Sequence, residues 1–401
     1  MKKTLLSTMI ATAGVLAAAN SAHAIFNLYK QDGLSLDING EVNLYAETDK
    51  KEIEGQFPIL KGLYQDASDE RVRLAADQGS SWIDFRASQT LPNDWRVTGT
   101  LGMGYTQAGS GTYLNSANVS LDKLNVGAIT LGRQYLHTGH VTRTGTYTPL
   151  DTFGEQAVRL DYYGLPNLHT SAYYLLPSSN DVRSEQDFAE VEGYGASASY
   201  KLPITDNQSL RLAAGYSNNR ANPQTTDAFD AKSDNYAASL EYRAGRFLAA
   251  ADYGRRDAKL NGQTVAGVDS DYLGFKLGFE VTPRFNIVAG YGKKESDRKY
   301  ANGLTAQDAT DQLLGQFYVE DGAGGYVFNP NTAGLSAQMS FPFMFEKLEE
   351  QQAYVRGDYY ARENLRFYGQ AQKEEVQAKQ EGRDYAKLDN TSYRLGVSFV
   401  F

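Results

Sequence analysis

The 401-residue sequence predicts an all-β protein: a 16-stranded antiparallel transmembrane β-barrel with one loop folded inward. Three observations carry that expectation. Segments of about ten residues alternate apolar with polar and are divided by turns or polar stretches. Beyond the first 24 residues no apolar run is long enough to cross a bilayer as a helix, and the mean hydropathy is −0.48. The chain holds 28 Tyr and 18 Phe but no Cys.

The elements follow in chain order. Lys2 and Lys3 precede an apolar stretch, Leu5 to Ala19, and Ala22-His23-Ala24 supplies small residues at a cleavage position. Residues 1–24 thus read as a secretory signal, and 25–401 as a single barrel. The signal carries two lysines and no acid, so its removal leaves the chain more acidic than the formal −9 of the whole. Sixteen alternating segments are expected at 34–46, 81–90, 95–106, 116–122, 127–135, 156–163, 168–177, 191–202, 209–219, 233–243, 246–256, 269–281, 284–293, 352–362, 364–374 and 390–401. In the final one, Tyr393, Leu395, Val397, Phe399 and Phe401 share a face opposite Ser392, Arg394, Gly396 and Ser398. Short turns at 91–94, 165–167, 244–245 and 282–283 join neighbours on one side. Longer polar stretches at 47–69, 178–190, 220–232, 257–268 and 375–389 are expected as loops on the other. Residues 294–351 are expected to form a long extracellular loop region, in which 327–345 is either a further hairpin or a folded loop.

An alternating sheet also suits a soluble sandwich, but these apolar faces carry small and aliphatic residues mid-strand and aromatics towards the ends. Tyr242, Tyr253, Tyr291, Tyr359, Phe399 and Phe401 are such terminal rings, placed as interfacial girdles would be. Closure satisfies every backbone polar group without leaving an edge in lipid. The lack of Cys excludes disulfides, thiolate metal sites and thiol nucleophiles, and the acidic balance argues against a nucleic-acid partner.

The run Tyr29-Lys30-Gln31-Asp32-Gly33-Leu34-Ser35-Leu36-Asp37-Ile38-Asn39-Gly40-Glu41-Val42 resembles the opening strand of the general diffusion porins of Gram-negative outer membranes. Leu131-Gly132-Arg133-Gln134-Tyr135 resembles that family's approach to its inward-folded third loop, and Phe401, with apolar residues at alternate positions before it, resembles its assembly signal. The resemblance implies a homotrimer of 16-stranded barrels in the outer membrane that passes small hydrophilic solutes passively. It also implies contact with outer-membrane lipid and lipopolysaccharide, and recognition of Phe399 and Phe401 by barrel-assembly machinery. The sequence departs from enterobacterial relatives in one place: where their loop has Pro-Glu-Phe-Gly-Gly, it reads Pro149-Leu150-Asp151-Thr152-Phe153-Gly154-Glu155, so the acids are shifted.

Residues 137–156 are too long and polar for a hairpin turn and are expected to fold into the lumen as a constriction loop. Asp151 and Glu155 would face passing solutes, opposite Arg86, Arg96 and Arg159 on the wall, with Asp84 and Asp161 interspersed. Strict alternation puts Arg133 on the face of Ile129 and Leu131; a bulge near Gly132 would turn it into the lumen, its assigned place, unless that apolar face does not meet lipid. His137 and His140 have no carboxylate at ligand spacing and are expected to be solvated; neither a metal nor any other cofactor is expected. The alternative function is a solute-specific channel for a sugar or an anion, with Tyr163, Tyr173, Tyr354 and Tyr360 as candidates for a lumenal aromatic track. A barrel enzyme would need a positioned His–acid–nucleophile set, which no motif here supplies.

Overall fold

The computed structural model describes residues 26–55, 69–76, 81–106, 111–176, 192–221, 231–260, 265–300, 304–305, 318–320, 326–328, 345–380 and 383–401. The leader expected over 1–24 lies outside the described residues. The strands are β1 (Phe26–Gln31), β2 (Leu34–Gly55), β3 (Asp69–Ala76), β4 (Trp82–Leu91), β5 (Trp95–Thr106), β6 (Gly111–Lys123), β7 (Gly127–Tyr135), β8 (Phe153–Tyr162), β9 (Leu168–Leu175) and β10 (Glu192–Thr205). They continue as β11 (Gln208–Ala221), β12 (Ala231–Ala244), β13 (Phe247–Leu260), β14 (Val265–Thr282), β15 (Phe285–Tyr300), β16 (Tyr318–Glu320), β17 (Tyr326–Phe328), β18 (Lys347–Arg362), β19 (Leu365–Gln380) and β20 (Arg383–Val400).

All but β16 and β17 belong to one 18-stranded antiparallel sheet that returns to its start through β2, which pairs with β20 on one side and with β3 and β4 on the other. The ring has 16 staves. β3 and β4 pair in succession with one edge of β2, at Leu44–Lys51 and Leu34–Glu41, and make one stave. On the other edge β1 pairs with Leu34–Ile38 just beyond the end of β20, so those two share another. Gly40 and Phe401 exchange backbone hydrogen bonds of 2.8 and 2.9 Å at that seam, and the Phe401 ring lies where a Cβ on Gly40 would sit.

Alternation decides the two faces. Around one side of the ring, Leu212, Leu240, Ala251, Phe275 and Tyr291 are successive cross-strand partners, and Leu212, Leu240 and Phe275 are exposed. One position along, Ala213, Ser239, Asp252, Gly274 and Gly292 form the adjoining ladder, in which Ser239 and Asp252 are buried. An apolar exterior with a polar interior is stable only when lipid lies outside, because these exposed aliphatics would otherwise meet water. The short turns fall where they were expected and use residues that tolerate positive φ: Asn93 (60°) and Asp94 (63°), Asn167 (65°) and Gly245 (54°).

The expected strands stop too early on the long-loop side. Of the stretches expected as loops, 257–268 and 375–389 are largely strand and 47–69 is strand as far as Gly55: β14 starts at Val265, and β19 and β20 pair from Gln380–Arg383 downwards. Cross-strand ion pairs replace apolar alternation there, including Lys347–Glu295 at 3.0 Å, Lys379–Glu349 at 2.7 Å and Lys387–Glu375 at 3.4 Å. Opposite charges stabilise neighbouring strands without leaving a hydrophobic period. Within 294–351, β15 extends to Tyr300, β18 begins at Lys347, and β16 pairs with β17 as a separate hairpin. The hairpin or loop considered for 327–345 falls mostly outside the described residues.

Candidate functional site: the lumen and its internal segment

Between β7 and β8 the chain leaves the wall, makes a 3-10 turn at His137–His140, and runs along the inner face of the barrel. Asp252, in the wall on β13, accepts from Arg143 N–H at 2.8 Å, Thr144 N–H at 2.7 Å and Thr144 Oγ1 at 2.6 Å. Lys276 on β14 donates to the Arg143 carbonyl, Ser239 on β12 to the Val141 carbonyl, and Tyr354 on β18 to the Thr144 carbonyl at 3.1 Å. A segment rooted in β7 is thus bonded to staves on the opposite side of the sequence order. Val141 and Leu150 add a small apolar cluster with Ala213 and Ala237.

The wall leaves room for this segment by omitting side chains. A Cβ on Gly215 would sit 2.7 Å from Leu150, on Gly254 2.7 Å from Pro149, on Gly274 2.3 Å from Thr144, and on Gly292 2.5 Å from Thr146. Four strands therefore contribute one glycine-lined groove, and backbone and loop approach more closely than any larger residue permits.

Asp151 is buried at the root of the segment, where its carboxylate accepts from Tyr173 Oη and Asn219 Nδ2 and its carbonyl from Thr138 Oγ1. It holds the segment to the wall, unlike the solute-facing position expected for it. Glu155 is paired with Arg133 at 2.6 Å. The bulge expected near Gly132 is present, with φ 114° and a register shift between Gly132 and Gln134, and the Arg133 guanidinium rests over the Phe153 ring. Arg159 bonds Asp161 at 2.9 Å and also donates to the Tyr135 carbonyl. Arg86 neighbours Asp84, whereas Arg96 pairs with Asp122 close to the short-turn rim, away from the internal segment. The expected arginines lie on β4, β5, β7 and β8, Arg159 beside the root of the segment, while the segment itself reaches across to β12, β13, β14 and β18. The charges facing it there, Lys276, Asp252, Glu241, Arg243 and Arg211, are not among the constriction residues expected from the sequence. Their signal was present: Asp252 in Ala249-Ala250-Ala251-Asp252 and Lys276 in Leu273-Gly274-Phe275-Lys276-Leu277 are lone ions amid small and apolar residues. An ion in that setting must have a partner, since stranding it is costly.

Below the segment, towards the short turns, lies a cavity of about 960 Å³. Its charged lining is Arg143, Lys201, Arg211 and Arg243 against Glu241. Burial, with Arg211 alongside, pulls the Arg143 guanidinium below its usual range. The cavity also meets His137, His140 and His169. Contrary to the expected solvation, His137 is part-buried and its pKa falls to about 3, through burial first and the neighbouring His169 second. His140 is shifted the same way by burial and Arg143. Of the tyrosines considered for an aromatic track, Tyr173 and Tyr354 hold the segment, while Tyr163 lines the cavity and donates to Asp122.

A closed 16-stranded barrel, apolar outside and polar within, is the architecture of an outer-membrane channel. Residues 5–379 match the family model described as Gram-negative porin, and the chain belongs to that family, whose members are non-enzymatic outer-membrane channels. Among solved structures it resembles a loop-deletion form of the outer membrane protein OmpT of Vibrio cholerae at 14% identity and TM-score 0.59, covering 92% of this chain and 100% of that one. The anion-selective porin of Comamonas acidovorans is similar at 12% identity and TM-score 0.59, with the same coverages. OmpF of Salmonella typhi, in complex with daunomycin, matches at 15% identity and TM-score 0.53, covering 94% and 100%. No curated protein matches the sequence.

Proposed function

We propose that the protein is a passive diffusion channel for small hydrophilic solutes, narrowed by residues 136–152 and selecting there by size and charge. The observation that carries this reading is the set of bonds from Asp252, Lys276, Ser239 and Tyr354 to the internal segment, which hold it inside the ring. Arg86 and Arg159 contribute to the wall charge in this reading, joined by Arg211 and Arg243 and faced by Arg143 on the segment itself; Asp151, Glu155 and Arg133 serve to position the segment.

The cavity lining favours anions. Four cationic side chains against one carboxylate outweigh the acidity of the whole chain, much of which sits on the ion-paired strand ends. Likeness to an anion-selective porin agrees with this preference. Reversal potentials in a planar bilayer under a salt gradient test it. Anion preference in the unmodified channel, reduced by Arg211→Glu, is expected; cation preference would reject the charge assignment, and absence of conductance would reject the channel itself.

As in its family, the chain is proposed to assemble as a homotrimer after export by the 1–24 signal, with Phe399 and Phe401 read by the assembly machinery. Ala87 and Gly99 are cross-strand partners on the outer face, and nothing lies near the position of a Gly99 Cβ, which leaves a smooth surface for a neighbouring barrel. Trimer migration before heating, and monomer after it, checks the assembly.

A further inference from the structure

Two wall strands and the internal segment bring three metal-binding side chains together beside the cavity: Asp161 on β8, His169 on β9 and His137 in the 3-10 turn. Their ligand atoms all lie within 4.8 Å of one another. Asp161 Oδ1 is 3.7 Å from His169 Nε2 and 4.0 Å from His137 Nε2, too far for hydrogen bonds. The Asp161 side chain is only 5% exposed, yet Oδ1 has no hydrogen-bond partner among the described residues, and neither has His169 Nε2. Orphaned buried acceptors of this kind ask for an occupant. The second carboxylate oxygen is engaged, accepting from Arg159 Nε at 2.9 Å, so Oδ1 is held facing the two imidazoles.

We propose that His137, Asp161 and His169 form a binding site for a divalent transition-metal cation of the zinc type. Two imidazole nitrogens and one carboxylate oxygen suit such an ion, with bonds of about 2.0–2.2 Å reached by closing the present gaps slightly. The adjoining cavity leaves the fourth position to water. Magnesium and calcium prefer all-oxygen shells and are poorly served here. Arg159 nearby opposes a cation, so the site holds its ion reversibly. Because one ligand is on the internal segment and two are on the wall, the ion also ties the segment down and adds positive charge at the narrowing.

The test is equilibrium dialysis of the untagged protein, stripped with a chelator in detergent, against zinc chloride with excess magnesium, with bound zinc measured by atomic absorption. About one zinc per chain is expected for the unmodified protein. The His137→Ala/His169→Ala double variant should bind none, and His140→Ala should bind as the unmodified protein does. Heat-modifiable electrophoretic migration verifies that each barrel is folded; if the double variant fails that check, His169→Gln and Asp161→Asn take its place. Lack of zinc on the folded unmodified protein would overturn the site, as would undiminished zinc on the folded ligand variants. Loss of zinc in His140→Ala would overturn the assigned ligand set. The readout is stoichiometry, so it stands or falls separately from conductance.

Discussion

Asp252→Ala is the sharpest probe of how the internal segment is held. The carboxylate is buried and accepts from three donors of the segment, at 2.6–2.8 Å. Hydrogen bonds to a charged group contribute about 1.5–3 kcal/mol each, so even low values give roughly 4 kcal/mol, about a thousandfold in the ratio of docked to released segment. Removal also leaves Lys276, 1% exposed, with one less counter-charge while it bonds the Arg143 carbonyl. The bonds from Ser239 and Tyr354 and the anchors on Asp151 remain, so the expected outcome is intermittent release in an intact barrel. Single-channel recording should show added current noise, a second and larger open level, and stronger anion preference. Asp252→Asn, which keeps an acceptor, should lie between the two. An Asp252→Ala channel whose current traces and selectivity match the unmodified protein would refute the role assigned to these bonds.

Gly254→Val should displace Pro149, because even the first added carbon would sit 2.7 Å from it, and the conductance level should change while the barrel still migrates as folded. Asp151→Ala removes one hydrogen bond from each of Tyr173 and Asn219, at a cost of about 1.5–3 kcal/mol per bond to the charged carboxylate. It should raise protease sensitivity at 136–152 more than it alters selectivity, and the opposite pattern would return Asp151 to the pore lining. His137 has a folded pKa near 3, below the ordinary 6.5, so the released form binds the proton more readily between those values. Docking therefore weakens as pH falls through that window, by up to about 1.4 kcal/mol per pH unit. Acidification with chelator present should increase current noise, and His137→Gln should flatten that dependence; matching pH profiles for the two proteins would reject it.

Period-2 alternation located the staves because lipid outside and water inside impose opposite demands on successive residues, as in Leu273-Gly274-Phe275-Lys276. It failed above the membrane, where both faces of β19 and β20 meet water and Glu375, Lys387 and Asp389 carry no hydrophobic period. It also left the partners of the internal segment hidden. Asp252 and Arg143 are far apart in sequence, and only ring closure brings them together. Nor does the sequence join Asp161, a wall charge, to His169, because the turn at 165–167 that sets them side by side with His137 acts through register rather than through spacing in a motif. The glycines at 215, 254, 274 and 292 carry no motif that would announce what packs against them.

The tall strand pairs on the long-loop side imply a graded barrel. At about 3.4 Å per residue and a tilt near 45°, the 18 residues of β14 rise roughly 40 Å, well beyond an apolar band about 25 Å tall. Inside the band a broken backbone bond finds no substitute, so opening is suppressed. Above it, water competes for every amide and the pairing relies on exposed ion pairs contributing about 0.2–1 kcal/mol each. Hydrogen exchange should therefore run as a gradient along single strands, slow at Leu273–Leu277 and fast at Val265–Asp269, and salt should steepen it by screening the charged rim while leaving the membrane-level girdle untouched.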